Sequence, residues 1–91
     1  MDEKITVMLV DDQQLVRGGL KMLVDSQPDL QVVMEADDGA AAVDSYARLA
    51  EQGHAPNIVL MDVRMPGMDG ISATRAMAGR FPTVKVLVLT T

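Results

Sequence analysis

The sequence predicts an α/β domain built on an open, parallel β-sheet with helices on both faces. Three observations carry this expectation. Apolar runs recur along the chain at Ile5–Val10, Leu30–Ala36, Ile58–Met61 and from Val84 onwards. The stretches between them place apolar residues at helical spacing. Gly and Pro mark the joints, at Pro28, Gly39, Gly53, Pro56, Gly70, Gly79 and Pro82. A helix between successive strands forces parallel pairing through right-handed crossovers. Sheets connected in this way are covered by helices on both sides.

Ile5–Val10 reads as a strand buried on both faces, ending in Asp11-Asp12. A helix follows from Gln13 to about Ser26, with Leu15, Val16, Leu20, Leu23 and Val24 at helical spacing. Asp12 is the expected N-cap, because a short carboxylate accepts from the first free N–H groups. Gly18-Gly19 weakens this helix by roughly 1 kcal/mol per glycine, which close packing on the sheet would explain. Leu30–Ala36 is the second strand; its partial alternation predicts more exposure than its neighbours. Asp37-Asp38-Gly39 turns the chain. Ala40 to about Gln52 is a helix with Val43, Ala47 and Ala50 on one face, and Gly53 suits its C-terminal cap. The third strand, Ile58–Met61, stops at Asp62 and enters a loop containing Pro66, Gly67 and Gly70. Ile71–Ala78 is the third helix, broken by Gly79 and Pro82. Val84–Thr91 is the fourth strand, where the chain ends.

Composition narrows the function. Ninety-one residues fit one domain. Only Tyr46 and Phe81 are aromatic, so Val, Leu, Ile, Ala and Met must build the core. The net charge is −5 and no Lys/Arg cluster exists, which argues against direct nucleic-acid binding by this chain. There is no Cys, hence no disulfide framework or thiolate metal site. No run reaches the ~18 apolar residues of a membrane span. The expectation is a cytoplasmic protein without a membrane partner.

Parallel strands bring their C-terminal ends to one sheet edge, where open α/β sheets bind ligands. Asp11 and Asp12 end the first strand, Asp62 the third and Thr90 the fourth. If the first and third strands are neighbours, three carboxylates converge beside a hydroxyl. Two carboxylates about 4 Å apart repel by roughly 4 kcal/mol at an effective dielectric of 20. A hard divalent ion with oxygen ligands, Mg²⁺ most naturally, resolves that repulsion. An ionised Asp62 could then attack a phosphoryl group, with Thr90 donating to one of its oxygens. Each residue also has an ordinary reading. Asp11-Asp12 can be a cap and a solvated acid, Asp62 a strand cap, and Thr90 a plain strand residue. His54, beside Gly53 and Pro56, reads as solvated, and the eight Met residues as core filler.

Leu9-Val10-Asp11-Asp12, Met61-Asp62-Val-Arg-Met-Pro66-Gly-Met-Asp-Gly70 and Val86-Leu-Val-Leu-Thr90-Thr91 together resemble the receiver domain of two-component response regulators. The resemblance covers the whole chain. It implies a flavodoxin-like (CheY-like) doubly wound sheet, a fold whose strand order in receiver domains is 2-1-3-4-5. The order here would be 2-1-3-4, with the fifth strand and last two helices absent. Asp62 would be the phosphoacceptor, receiving its phosphoryl group from a sensor histidine kinase. Asp12 would bind Mg²⁺ directly, Asp11 through water, and Arg64 through its backbone carbonyl. Thr90 would be the switch hydroxyl and Thr91 would line the site. Pro66 and Gly70 would shape the loop after the acceptor. The wording Asp11-Asp-Gln-Gln-Leu-Val-Arg-Gly-Gly-Leu20 is similar to the NarL/FixJ-like subgroup, whose receivers usually precede a helix-turn-helix domain. DNA would be reached only through that effector, which is not in this chain. The product is a signalling state rather than a released metabolite, so the chain is expected to be no enzyme in the usual sense.

Two departures from the family pattern matter. The lysine that pairs with the phosphoryl group follows strand five, and no residue here matches it. Lys85 cannot replace it, lying roughly 17 Å from Thr90 at about 3.3 Å per residue, towards the wrong edge. The fourth strand would also be an apolar, unpaired edge, inviting self-association or exchange of elements. Other function classes fit less well. Phosphohydrolases with an Asp nucleophile place a second acid two residues later, where Arg64 stands. No G-x-G-x-x-G follows the first strand, against dinucleotide binding. An interaction module that is never phosphorylated remains the third class.

Overall fold

The computed structural model describes residues 3–65 and 69–89. The elements run β1 (Ile5–Val10), α1 (Gln14–Asp25), β2 (Leu30–Ala36), α2 (Gly39–Glu51), β3 (Ile58–Asp62), α3 (Gly70–Arg80) and β4 (Val86–Leu89). All pairings are parallel, and the four-stranded sheet has the order β2-β1-β3-β4. This is the expected α/β fold, with the expected strand order.

The apolar runs explain which strands are central. Val7, Met8, Leu9 and Val10 are all buried, as β1 needs with a neighbour on each side. β2, at one edge, alternates as its sequence does, exposing Gln31, Val33 and Glu35. Alternation in β1 serves both faces. Met8 and Val10 join Val59 and Met61 of β3 in one cluster with Ala42, Val43 and Tyr46 of α2 and Ala73 and Met77 of α3. Methionines fill the space that aromatic rings would otherwise occupy, and full burial of one such side chain contributes ~1.5–3 kcal/mol. The two aromatics meet each other, Tyr46 and Phe81 ring centroids lying 4.8 Å apart at 57°. Burial pushes the Tyr46 phenol pKa up.

α1 lies against β1 and β2 and contributes nothing to that cluster. It has no buried residue; Leu20 and Val24 are half-buried, while Leu15, Met22 and Leu23 are exposed. Two expectations for α1 are corrected. The N-cap is Gln13, without a side-chain cap bond, and not Asp12. The reason is local: Asp11 Oδ1 accepts the Gln13 N–H at 2.8 Å, and this turn starts the helix one residue later. Gly18 and Gly19 are not explained by close packing, since a Cβ at either would meet nothing within 4 Å.

α2 is capped at both ends. Asp38 accepts the Ala41 N–H at 2.7 Å, so the acidic turn is also the helix N-cap. Gly53 takes φ +76°, the left-handed conformation that closes a helix, and His54 N–H reaches Leu49 O at 2.8 Å. α3 starts on Asp69, which accepts the Ser72 N–H at 2.7 Å; that bond holds its carboxyl pKa below the usual value. α3 runs through Gly79 to Arg80 rather than stopping at Ala78. An exposed glycine weakens a helix without ending it, and the break comes only near Pro82. At the start of β3, Asn57 Oδ1 accepts from both the N–H and the hydroxyl of Thr6, at 2.8 and 3.0 Å. These bonds fix β3 beside β1 and thereby set the alignment of their far ends.

Candidate functional site

Register builds the site. Val10 of β1 faces Met61 of β3, so the next residues, Asp11 and Asp62, stand side by side at the C-terminal ends of the two strands. One carboxylate oxygen from each of Asp11, Asp12 and Asp62 lies within 4.8 Å of the others. Asp11 and Asp62 are only 5% and 6% exposed, while Asp12 faces solvent. At that separation two carboxylates repel by roughly 3 kcal/mol at an effective dielectric of 20. Among the described residues this is the one grouping of three or more potential metal-binding side chains.

Backbone donors hold the acids in place. Asp11 Oδ1 accepts from Gln13 N–H at 2.8 Å, and Asp62 Oδ1 accepts from Arg64 N–H at 3.1 Å. Asp11 N–H donates to Ala36 O at 3.1 Å, continuing the β1–β2 ladder. Beyond Asp62, Val63 N–H donates to Leu89 O at 3.1 Å and Gly70 N–H to Val63 O at 3.3 Å. The start of α3 is thus folded back onto the end of β3. A Cβ at Gly70 would overlap the Asp62 carbonyl oxygen and come within 2.9 Å of Val63 Cα. Only glycine leaves room for this approach.

Each buried acid keeps oxygen lone pairs beyond its one backbone bond, and Asp12 accepts no hydrogen bond from the described residues. An all-oxygen, anionic donor set of this kind fits a hard divalent ion such as Mg²⁺. The Arg64 side chain is exposed. Pro66, Thr90 and Thr91 lie outside the described residues. Lys85 lines a groove of about 450 Å³ with Ile5, Tyr46, Asn57 and Thr83, at the sheet edge opposite the acids. Two further residues touch the site without standing out in the sequence. Arg17 and Glu35 meet at its back, Arg17 also reaching the Asp11 carbonyl. An arginine in the early turns of a helix that follows two acids is the available signal.

Known proteins are similar to this chain in sequence and fold. The family model of the response regulator receiver domain matches residues 7–91. The transcriptional regulatory protein DegU of Brevibacillus brevis is 41% identical over 97% of this chain, which spans 35% of DegU. The transcriptional regulatory protein LiaR of Bacillus subtilis (strain 168) is 43% identical over 94% of this chain, which spans 38% of LiaR. The crystal structure of a LuxR-family two-component response regulator from Aurantimonas sp. SI85-9A1 superposes with a TM-score of 0.87. It is 35% identical and matches 97% of this chain and 59% of its own. The chain therefore spans little more than a third of the curated relatives it matches. Among the described residues no helix is long and apolar enough to cross a membrane.

Two measurements probe the site's electrostatics and sterics. Asp62→Asn removes one of three clustered charges while keeping the acceptor for Arg64 N–H. In chelator it should raise the melting temperature by ~4–8 °C, the equivalent of ~1 kcal/mol in a domain this size, and it should abolish any further rise with Mg²⁺. Gly70→Ala should lower stability by about 1–3 kcal/mol in urea unfolding and weaken Mg²⁺ binding, because the Asp62 backbone must yield to the new methyl group.

Proposed function

The chain belongs to the response regulator receiver domain family, and on that premise we propose that Asp62 accepts a phosphoryl group from a sensor histidine kinase in an Mg²⁺-dependent reaction. The convergence of Asp11, Asp12 and Asp62 at one sheet edge carries this reading. An Asp62 carboxylate oxygen attacks phosphorus. The new P–O bond forms as the bond from phosphorus to the kinase histidine nitrogen breaks, and the released imidazole takes up a proton. Asp12, Asp62 and the Arg64 backbone carbonyl would hold Mg²⁺ directly, and Asp11 would hold it through water. The bound ion supplies positive charge against the phosphoryl oxygens. The Arg64 N–H bond holds one oxygen of the Asp62 carboxylate and leaves the other without a hydrogen bond from the described residues. Gly70 and Pro66 would shape the loop after the acceptor. Thr90 serves as the switch hydroxyl and Thr91 lines the site.

The role is signalling, with the domain assisting its own phosphorylation rather than turning over a substrate. DegU and LiaR are transcriptional regulatory proteins by name, and we extend that output to this protein. DNA would be bound by an effector domain outside these 91 residues, in the cytoplasm.

Intact-mass measurement after incubation with Mg²⁺ and acetyl phosphate tests the chemistry. One added phosphoryl mass is expected, absent from Asp62→Ala and from samples with chelator; no gain in a folded protein would overturn the reading. We further propose self-association through β4, whose Leu87 and Val88 are 56% and 44% exposed on an edge strand. Light scattering at high concentration should show a species larger than a monomer, reduced by Leu87→Lys.

A further inference from the structure

Arg17 sits in the second turn of α1 and points back towards the sheet. Its Nη1 donates to the Asp11 main-chain oxygen at 2.5 Å, and its Nε donates to Glu35 Oε1 of β2 at 3.1 Å. The Arg17 side chain is only 16% exposed. One guanidinium therefore ties the end of β1 to α1 and to β2.

The Asp11 carbonyl and the Asp12 N–H belong to one rigid peptide plane. Turning that plane swings the Asp12 side chain, and Asp12 has no hydrogen bond of its own among the described residues. The Asp11 N–H and Oδ1 are fixed by Ala36 and Gln13. The carbonyl is the remaining main-chain polar group of Asp11, and Arg17 fixes it. The planar guanidinium serves the carbonyl and the Glu35 carboxylate from two different nitrogens held in fixed geometry; a lysine ammonium carries its donors on one freely rotating nitrogen and cannot hold the two acceptors at that spacing and angle. Glu35 in turn holds the fork in register.

We infer that Arg17 is a positioning residue for the acidic site. It orients the Asp11–Asp12 peptide so that the Asp12 carboxylate is held ready for a divalent cation. This rests on reading the site as one that binds Mg²⁺. Partners that orient metal ligands typically change metal affinity 10–100-fold when removed.

The test is Mg²⁺ binding by calorimetric titration, with urea unfolding alongside, for the native chain and the variants Arg17→Gln, Arg17→Lys and Glu35→Gln. Arg17→Gln should weaken Mg²⁺ binding about tenfold. Arg17→Lys, which keeps the charge and loses the fork, should not restore it. Glu35→Gln, the milder change, should weaken binding severalfold and keeps the proposal testable if Arg17→Gln does not fold. In an Asp12→Asn background, Arg17→Gln should cause no further loss, because its effect passes through Asp12. Unchanged Mg²⁺ affinity in Arg17→Gln or in Glu35→Gln, with only stability reduced, would overturn the role of Arg17 and leave the site intact. Equal loss in the Asp12→Asn background would also overturn it. Absence of Mg²⁺ binding by the native chain would overturn the reading of the site itself, and this inference with it.

Discussion

Repulsion among three carboxylates within 4.8 Å of one another is the constraint that the upper edge of this sheet must satisfy. Nothing in the apolar core below relieves it. Relief comes from fixed backbone dipoles, one N–H on Asp11 and one on Asp62, and from an arginine that grips the Asp11 carbonyl. These contacts set the geometry of the site and leave the three carboxylates close together, an all-oxygen donor set that fits a hard divalent cation.

The rest of the fold holds that edge steady. β1 is the central strand, buried along its last four residues, and β3 is locked to it at the opposite end by the Thr6–Asn57 hydrogen bonds. With both strands aligned, a slip of one residue would turn the buried side chains to the wrong face. The same register therefore serves packing and chemistry. The two faces of the sheet differ. α2 and α3 close over a methionine-rich cluster, whereas α1 covers its face thinly and leaves Leu15, Met22 and Leu23 exposed. The acids lie where these layers meet, with α1 beginning beside Asp11 and Asp12 and α3 folding back onto Asp62 and Val63.

Much of this is readable in the sequence because the signals are local and repeated. Four apolar runs separated by helical spacing specify a parallel α/β sheet, and the partial alternation of β2 marks it as more exposed than its neighbours. Local rules fail where a residue has two possible partners. Asp12 reads as the cap of α1, but Asp11 takes the Gln13 N–H. Gly79 reads as a helix end, yet an exposed glycine costs too little to stop α3. Gly18 and Gly19 read as a packing requirement, and the space around them is open.

From the sequence alone come the order of elements, the identity of the core strands and the placement of acids at strand ends. These depend on periodicity and on the chain's own direction, which any stretch carries within itself. The tertiary structure decided the rest. The pairing of β1 with β3 brings together Asp11 and Asp62, acids far apart along the chain. The return of α3 onto β3 leaves no room for a side chain at Gly70. The span of Arg17 from α1 to the Asp11 carbonyl and to Glu35 joins three elements at one guanidinium. Each of these is a contact between separate elements, and its geometry exists only once the sheet has fixed their relative positions.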